Sequence, residues 1–163
     1  MKYLLLIIAL TGAAITAGCT GDFHPQIPGQ AIMEGQFGIP YSDSGQEVCV
    51  YSAQKSKMVT SLIFNVSSTK EAAGGKTFVI IDAQIKNTDP DPITVFPHQF
   101  SIGDGEGNRF KKEPYYGEEW LMAGELRHNE YKRGKVLFEV PENSKNLVIL
   151  YDLNGKLVSW KID

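Results

Sequence analysis

Ten residues limit what this chain can fold into: Phe78-Val79-Ile80-Ile81-Asp82-Ala83-Gln84-Ile85-Lys86-Asn87. Val79, Ile81, Ala83 and Ile85 fall on one side of the run, and Asp82, Gln84 and Lys86 on the other. A period of two with one apolar side is a strand with one buried and one wet face. A single sheet of such strands leaves its apolar face in water, so a second layer must cover it.

Further strand signals continue along the chain. Val48 to Tyr51 is a short β-prone run, and Met58 to Val66 carries Met58, Leu62, Phe64 and Val66 in one phase. Ser67 to Lys76 reads as a turn-rich connection. Asn65-Val66-Ser67 fits a glycosylation sequon, which inside an expected strand is a chance match. After Asn87, Pro90 and Pro92 interrupt the ladder, and Ile93 to Val95 and Phe96 to Ile102 make a broken strand. Asp104-Gly105-Glu106-Gly107-Asn108 is a turn leading to a short strand at Arg109 to Lys112. Residues 113–126 fit either one helical turn or an aromatic-rich loop. Tyr131 to Val140 is a strong strand stopped by Pro141. Leu147 to Tyr151 and Leu157 to Lys161 flank Asn154-Gly155, a strong hairpin signal, with Trp160 expected to pack inward beside Val158 and Ile162. Seven or eight short strands with turn chemistry between them, and no long helical period, indicate an all-β antiparallel sandwich.

The first residues carry an address. Lys2 precedes the apolar run Tyr3 to Leu10, and small residues follow up to Gly18-Cys19. This is the layout of a secretory signal peptide, and the apolar part is shorter than the ~20 residues a spanning helix needs. Ala17-Gly18-Cys19 resembles the prokaryotic lipobox, in which cleavage precedes a lipid-modified cysteine; Thr16 departs from the Leu or Val preferred there. The expected organisation is therefore a signal peptide at 1–18, a lipid-anchored linker at 19–46 and a sandwich domain at 47–163. Prolines 25, 28 and 40 and glycines 21, 29, 35, 38 and 45 give the linker its tether-like composition. The location this implies is exported, held at the outer face of the cytoplasmic membrane or cell envelope. With Cys19 acylated, Cys49 has no intramolecular disulfide partner and reads as a small buried apolar side chain.

Three segments together resemble a known family. Thr77 to Asn87 is similar to the first core strand of a family of immunoglobulin-like domains of unknown function. That family occurs on bacterial and archaeal lipoproteins and is distantly similar to a mycobacterial immunoprotective secreted protein. Phe100-Ser101-Ile102-Gly103-Asp104 with Gly107-Asn108 resembles its Asp- and Gly-bearing turn. Gly134-Lys135-Val136-Leu137-Phe138-Glu139-Val140-Pro141 is close to its Gly-x-Val-x-Phe-x-Val-Pro strand. The resemblance spans residues 48–163. Arg127-His128-Asn129-Glu130 departs from the family's usual Pro-Gly-Glu, although Asn129 can still take the left-handed conformation. The resemblance implies a fold and an envelope location, with no enzyme activity and no catalytic residues to transfer.

The residues themselves offer little chemistry. The formal net charge of −3 argues against nucleic-acid binding, which needs a basic face. His24, His98, His128 and Cys49 do not cluster with a methionine as a copper site requires. Turn formation explains the Asp89/Asp91 and Asp104/Glu106/Asn108 loops more simply than calcium does. No Gly-x-Ser-x-Gly motif is present, and Glu118-Glu119 reads as a solvated acidic edge. No cofactor or catalytic group is expected. Tyr115, Tyr116 and Trp120 form the candidate binding surface, with capping of one end of the sandwich as the structural alternative. The expected function is a non-enzymatic, lipid-anchored envelope protein that binds another protein or an envelope component. The other reading is a peptidase inhibitor inserting the loops Thr88 to Pro92 and Asp104 to Asn108 into a protease cleft.

Overall fold

The computed structural model describes residues 32–63, 66–114 and 119–162. The signal segment, Cys19, His24, Phe64, Asn65, Tyr115, Tyr116 and Glu118 lie outside the described residues. The strands are β1 (Ile32–Glu34), β2 (Tyr41–Asp43), β3 (Gln46–Ser56), β4 (Met58–Ile63), β5 (Val66–Glu71), β6 (Lys76–Asn87) and β7 (Ile93–Val95). They continue with β8 (Phe100–Gly103), β9 (Arg109–Lys111), β10 (Gly124–Leu126), β11 (Tyr131–Pro141), β12 (Val148–Leu153) and β13 (Lys156–Lys161).

Two sheets form a β-sandwich. One has the order β11-β6-β3-β2 and the other β1-β13-β12-β8-β9. Strand β6 is central, as its alternation requires: it pairs antiparallel with β11 from Lys76↔Pro141 to Lys86↔Tyr131, and with β3 on its other side. Val79, Ile81, Ala83 and Ile85 are fully buried and meet Ile102, Ile149, Tyr151, Val158 and Trp160 of the facing sheet. One extra residue, Tyr51, bulges β3 between Val50 and Ser52, so that Val48, Val50 and Ala53 all remain in phase with the core.

The other face of β6 is only half wet. Phe78 and Ile80 are buried there with Leu137, Val59 and Trp120 in a second apolar cluster. The β4–β5 hairpin lies over them, presenting Val59 and Ser61 inward and Met58 and Leu62 outward. The expectation of one wet face thus holds from Asp82 onward and fails before it.

The boundary expected at residue 46 also moves. β1 pairs in parallel with β13, and β2 pairs with β3, so residues 32–46 belong to the folded domain. Neighbouring backbones use the pairing capacity that the glycine- and proline-rich composition concealed. The parallel β1 strand also departs from an all-antiparallel sandwich.

Two ends of the sandwich are distinct. Residues 44–45, 88–92, 127–130 and 154–155 gather at one: Thr88 and Asp89 donate to the Gly45 carbonyl, Asn87 N–H donates to Glu130, and Lys156 pairs with Asp43. Ile32 enters at this same end, opposite Leu157. Residues 72–75, 104–108 and 141–147 form the far end, where Glu142 N–H donates to Gly75 and Gly105 N–H to Lys145. Asn154 and Gly155 have φ of 52° and 84°, which builds the two-residue hairpin that Asn-Gly predicts.

Candidate functional site

The sequence singles out Tyr115, Tyr116 and Trp120, and the structure corrects the role of the last. Trp120 is 6% exposed and so is no free surface anchor. Residues 119–121 add to the edge of β11: Lys135 N–H donates to the Glu119 carbonyl and Leu121 N–H to the Lys135 carbonyl. Alternation along this short extended piece sends Trp120 to the outer cluster and Leu121 to the inner core. Gly134 permits the crossing, because a β-carbon there would lie 2.4 Å from the Leu121 backbone nitrogen. Trp120 Nε1 donates to Ser61 Oγ at 3.1 Å, which ties the β4–β5 hairpin to the sheet.

Beside Trp120 lies an open groove of about 270 Å³. Ile80 and Trp120 line its base, β3 gives Gln54, Lys55 and Ser56, and β4 gives Met58, Val59 and Thr60. Met58 is 55% exposed, so an apolar side chain stands at the rim. Lys135 lines the groove and is ion-paired with Glu119. The groove thus has mainly polar and cationic walls, with the nearly buried Trp120 and Ile80 beneath them and Met58 at the rim.

A second constellation lies on the open half of the outer face. Arg133 Nη2 and Nε donate to the two carboxylate oxygens of Asp82 at 2.7 and 3.1 Å, and the guanidinium stacks on Tyr51 at 3.9 Å. Cys49 lies beside Tyr51 and is 1% exposed. Burial pushes its thiol pKa up, so it stays protonated and unreactive at neutral pH. This agrees with its expected role as a small buried side chain.

The acidic loops serve the fold. Asp104 is 3% exposed and accepts from Asn108 Nδ2 and from the backbone N–H groups of Glu106 and Asn108. Burial alone would raise its pKa, but these hydrogen bonds outweigh it and hold the carboxyl below its ordinary value. Asp89 Oδ1 accepts Asp91 N–H, and fully buried Asn87 donates to the Asp91 and Leu126 carbonyls. Asn129 has φ of 65°, the left-handed conformation expected of it. Among the described residues, no group of three His, Cys, Asp or Glu side chains is placed to hold a metal. His98 is exposed and stacks on Phe96 at 5.0 Å, while His128 Nδ1 meets the Asp89 carbonyl at 2.9 Å.

The geometry also separates the loops of the inhibitor reading. Residues 88–92 and 104–108 sit at opposite ends of the sandwich, because β6 enters the first and β8 the second from opposite directions. They cannot enter one protease cleft together.

Solved structures share this architecture. An uncharacterised β-sandwich protein from Clostridium difficile aligns with a TM-score of 0.58 at 14% identity, over 86% of this chain and 100% of its own. The secreted protein MPT63 of Mycobacterium tuberculosis aligns with a TM-score of 0.61 at 14% identity, over 81% and 98%. A putative lipoprotein of Bacillus subtilis, ycdA, aligns with a TM-score of 0.57 at 18% identity, over 76% of this chain and 38% of its own. A search of curated proteins finds no match to this sequence. The model of a domain of unknown function, DUF4352, matches residues 37–159, starting within the segment that the β2 pairing had already joined to the sandwich, and the chain belongs to that family.

Proposed function

We propose that this is an exported protein, lipid-anchored through Cys19, whose sandwich acts by binding a protein or another envelope component and not by catalysis. The observation that carries the reading is the groove beside Trp120: β3, β4, β6, β11 and residue 120 all contribute to it, exposed Met58 stands at its rim, and among the described residues no reactive cluster of acid, base and nucleophile adjoins it. Likeness to a secreted protein and to a putative lipoprotein supports an address outside the cytoplasm. The arrangement Lys2, apolar run, Ala17-Gly18-Cys19 supports the anchor.

The test is crosslinking in intact cells, comparing the native protein with Met58→Glu and Lys55→Glu. Both side chains are exposed, so neither change disturbs the core. The reading expects crosslinked products to be lost in both variants while the melting temperature holds. Unchanged products would remove the groove as the binding surface.

A further inference from the structure

Ile32, the first described residue, lies at a defined end of the sandwich. Because β1 runs parallel to β13, its first residue sits opposite Leu157, next to the Asn154-Gly155 hairpin. Only twelve residues, 20–31, separate Cys19 from that point. Whatever their conformation, this connection spans at most about 45 Å at ~3.3–3.6 Å per residue. The sandwich is itself about 35 Å long, from the eleven paired positions of β6 and β11 at ~3.3 Å each. Placing the far end on a bilayer would therefore require the connection to run back along the whole domain, close to its full length. That extension is entropically opposed. Placing the Ile32 end toward the bilayer requires none of it.

Resting on the anchor read above, we infer that the end formed by residues 44–45, 88–92, 127–130 and 154–155 opposes a phospholipid surface, and that the groove beside Trp120 is held outward from it. The register fixes the second part. Ile80 lies seven positions along β6 from Asn87, and Ser56 pairs with Phe78 still farther out. The groove thus stands about 23–30 Å beyond the end where the chain enters, at ~3.3 Å per residue. Asp89, Asp91 and Glu130 outnumber Arg127 among the charged residues of the membrane-facing end, so attraction to anionic headgroups is not what holds it there.

Energy transfer to labelled lipid tests this. Asp91→Cys and Asn143→Cys place a dye on exposed residues at the two ends, and buried Cys49 leaves little background in the unsubstituted protein. The full-length acylated variants are reconstituted in phosphatidylcholine vesicles carrying a headgroup acceptor and recovered by flotation. Transfer from position 91 is expected to be several-fold more efficient than from position 143. Equal or greater transfer from position 143 in floating protein would overturn the orientation. Protein that fails to float would instead overturn the anchor, and this inference with it.

Discussion

Gly35 and Trp160 meet where a side chain on residue 35 would stand: a β-carbon there would be 2.4 Å from both Nε1 and Cε2 of the fully buried indole. This contact closes the sandwich just past β1, where Gly35 N–H donates to the Ser159 carbonyl at 2.8 Å. Gly35→Ala must displace either the strand or the ring. The expected cost is ~1–3 kcal/mol, as for other overpacked sites. It is read as a lower denaturant midpoint with unchanged slope. A neutral result would mean that residues 32–35 are not seated on β13 as described.

Asn87 knots the end where the chain enters. Its amide donates to the Asp91 and Leu126 carbonyls at 2.8 and 3.0 Å, and its Oδ1 accepts Asp89 N–H at 2.8 Å. Asn87→Ala removes all three bonds, the one to the Leu126 carbonyl fully buried and the other two part-buried, at ~1 kcal/mol each. The substitution should destabilise the domain by about 3 kcal/mol and raise hydrogen exchange in residues 88–92 and 127–130. Chemical denaturation together with exchange mass spectrometry checks both.

Asp104 gives the far end a pH dependence with a definite sign. Its carboxyl pKa is lowered in the fold, so as the pH falls the unfolded chain takes up the proton first. The stabilisation is complete above about pH 4, the ordinary range of an aspartate, and is lost as the pH drops through the folded value. Asp104→Asn should cost ~1–3 kcal/mol at neutral pH through the lost charge-assisted bonds. It should also flatten the stability profile on the acid side. An unaltered acid limb would contradict the assignment.

Trp120 separates structure from binding. Trp120→Ala opens the outer cluster and should cost ~3–5 kcal/mol. Trp120→Phe keeps most of the volume and loses chiefly the bond to Ser61, about 1 kcal/mol. If the groove binds through its rim, Trp120→Phe retains the crosslinked partners that Met58→Glu loses. Loss of partners in a well-folded Trp120→Phe variant would restore the indole as a direct contact.

The sandwich was legible from β6, from Tyr131 to Val140 and from the Asn154-Gly155 hairpin, because alternation and positive-φ turn chemistry are local signals. β5 was not legible: Ser67, Ser68, Thr69 and Lys70 have no apolar alternation, and the strand exists by pairing with β4. β1 and β2 were hidden among glycines and prolines for the same reason. Ile93 to Val95 and Phe96 to Ile102 read as one broken strand, and the break is a 3-10 turn at Pro97–Gln99, where Gln99 Oε1 accepts Phe96 N–H at 2.9 Å. The aromatic composition around Trp120 reads as an exposed binding surface or an end cap, and Trp120 is instead buried in the outer cluster. Composition could not say which ring faces inward, since that follows from the edge of β11 and from Gly134, both distant in sequence.

The anchor is tested most directly by the intact mass of the protein extracted from membranes of its native host. The expected chain begins at Cys19, lacks the first eighteen residues and carries the added mass of lipid on that cysteine; Cys19→Ser should abolish the addition. A chain that retains Met1 to Gly18, or one with Cys19 as a free thiol, would contradict the anchor.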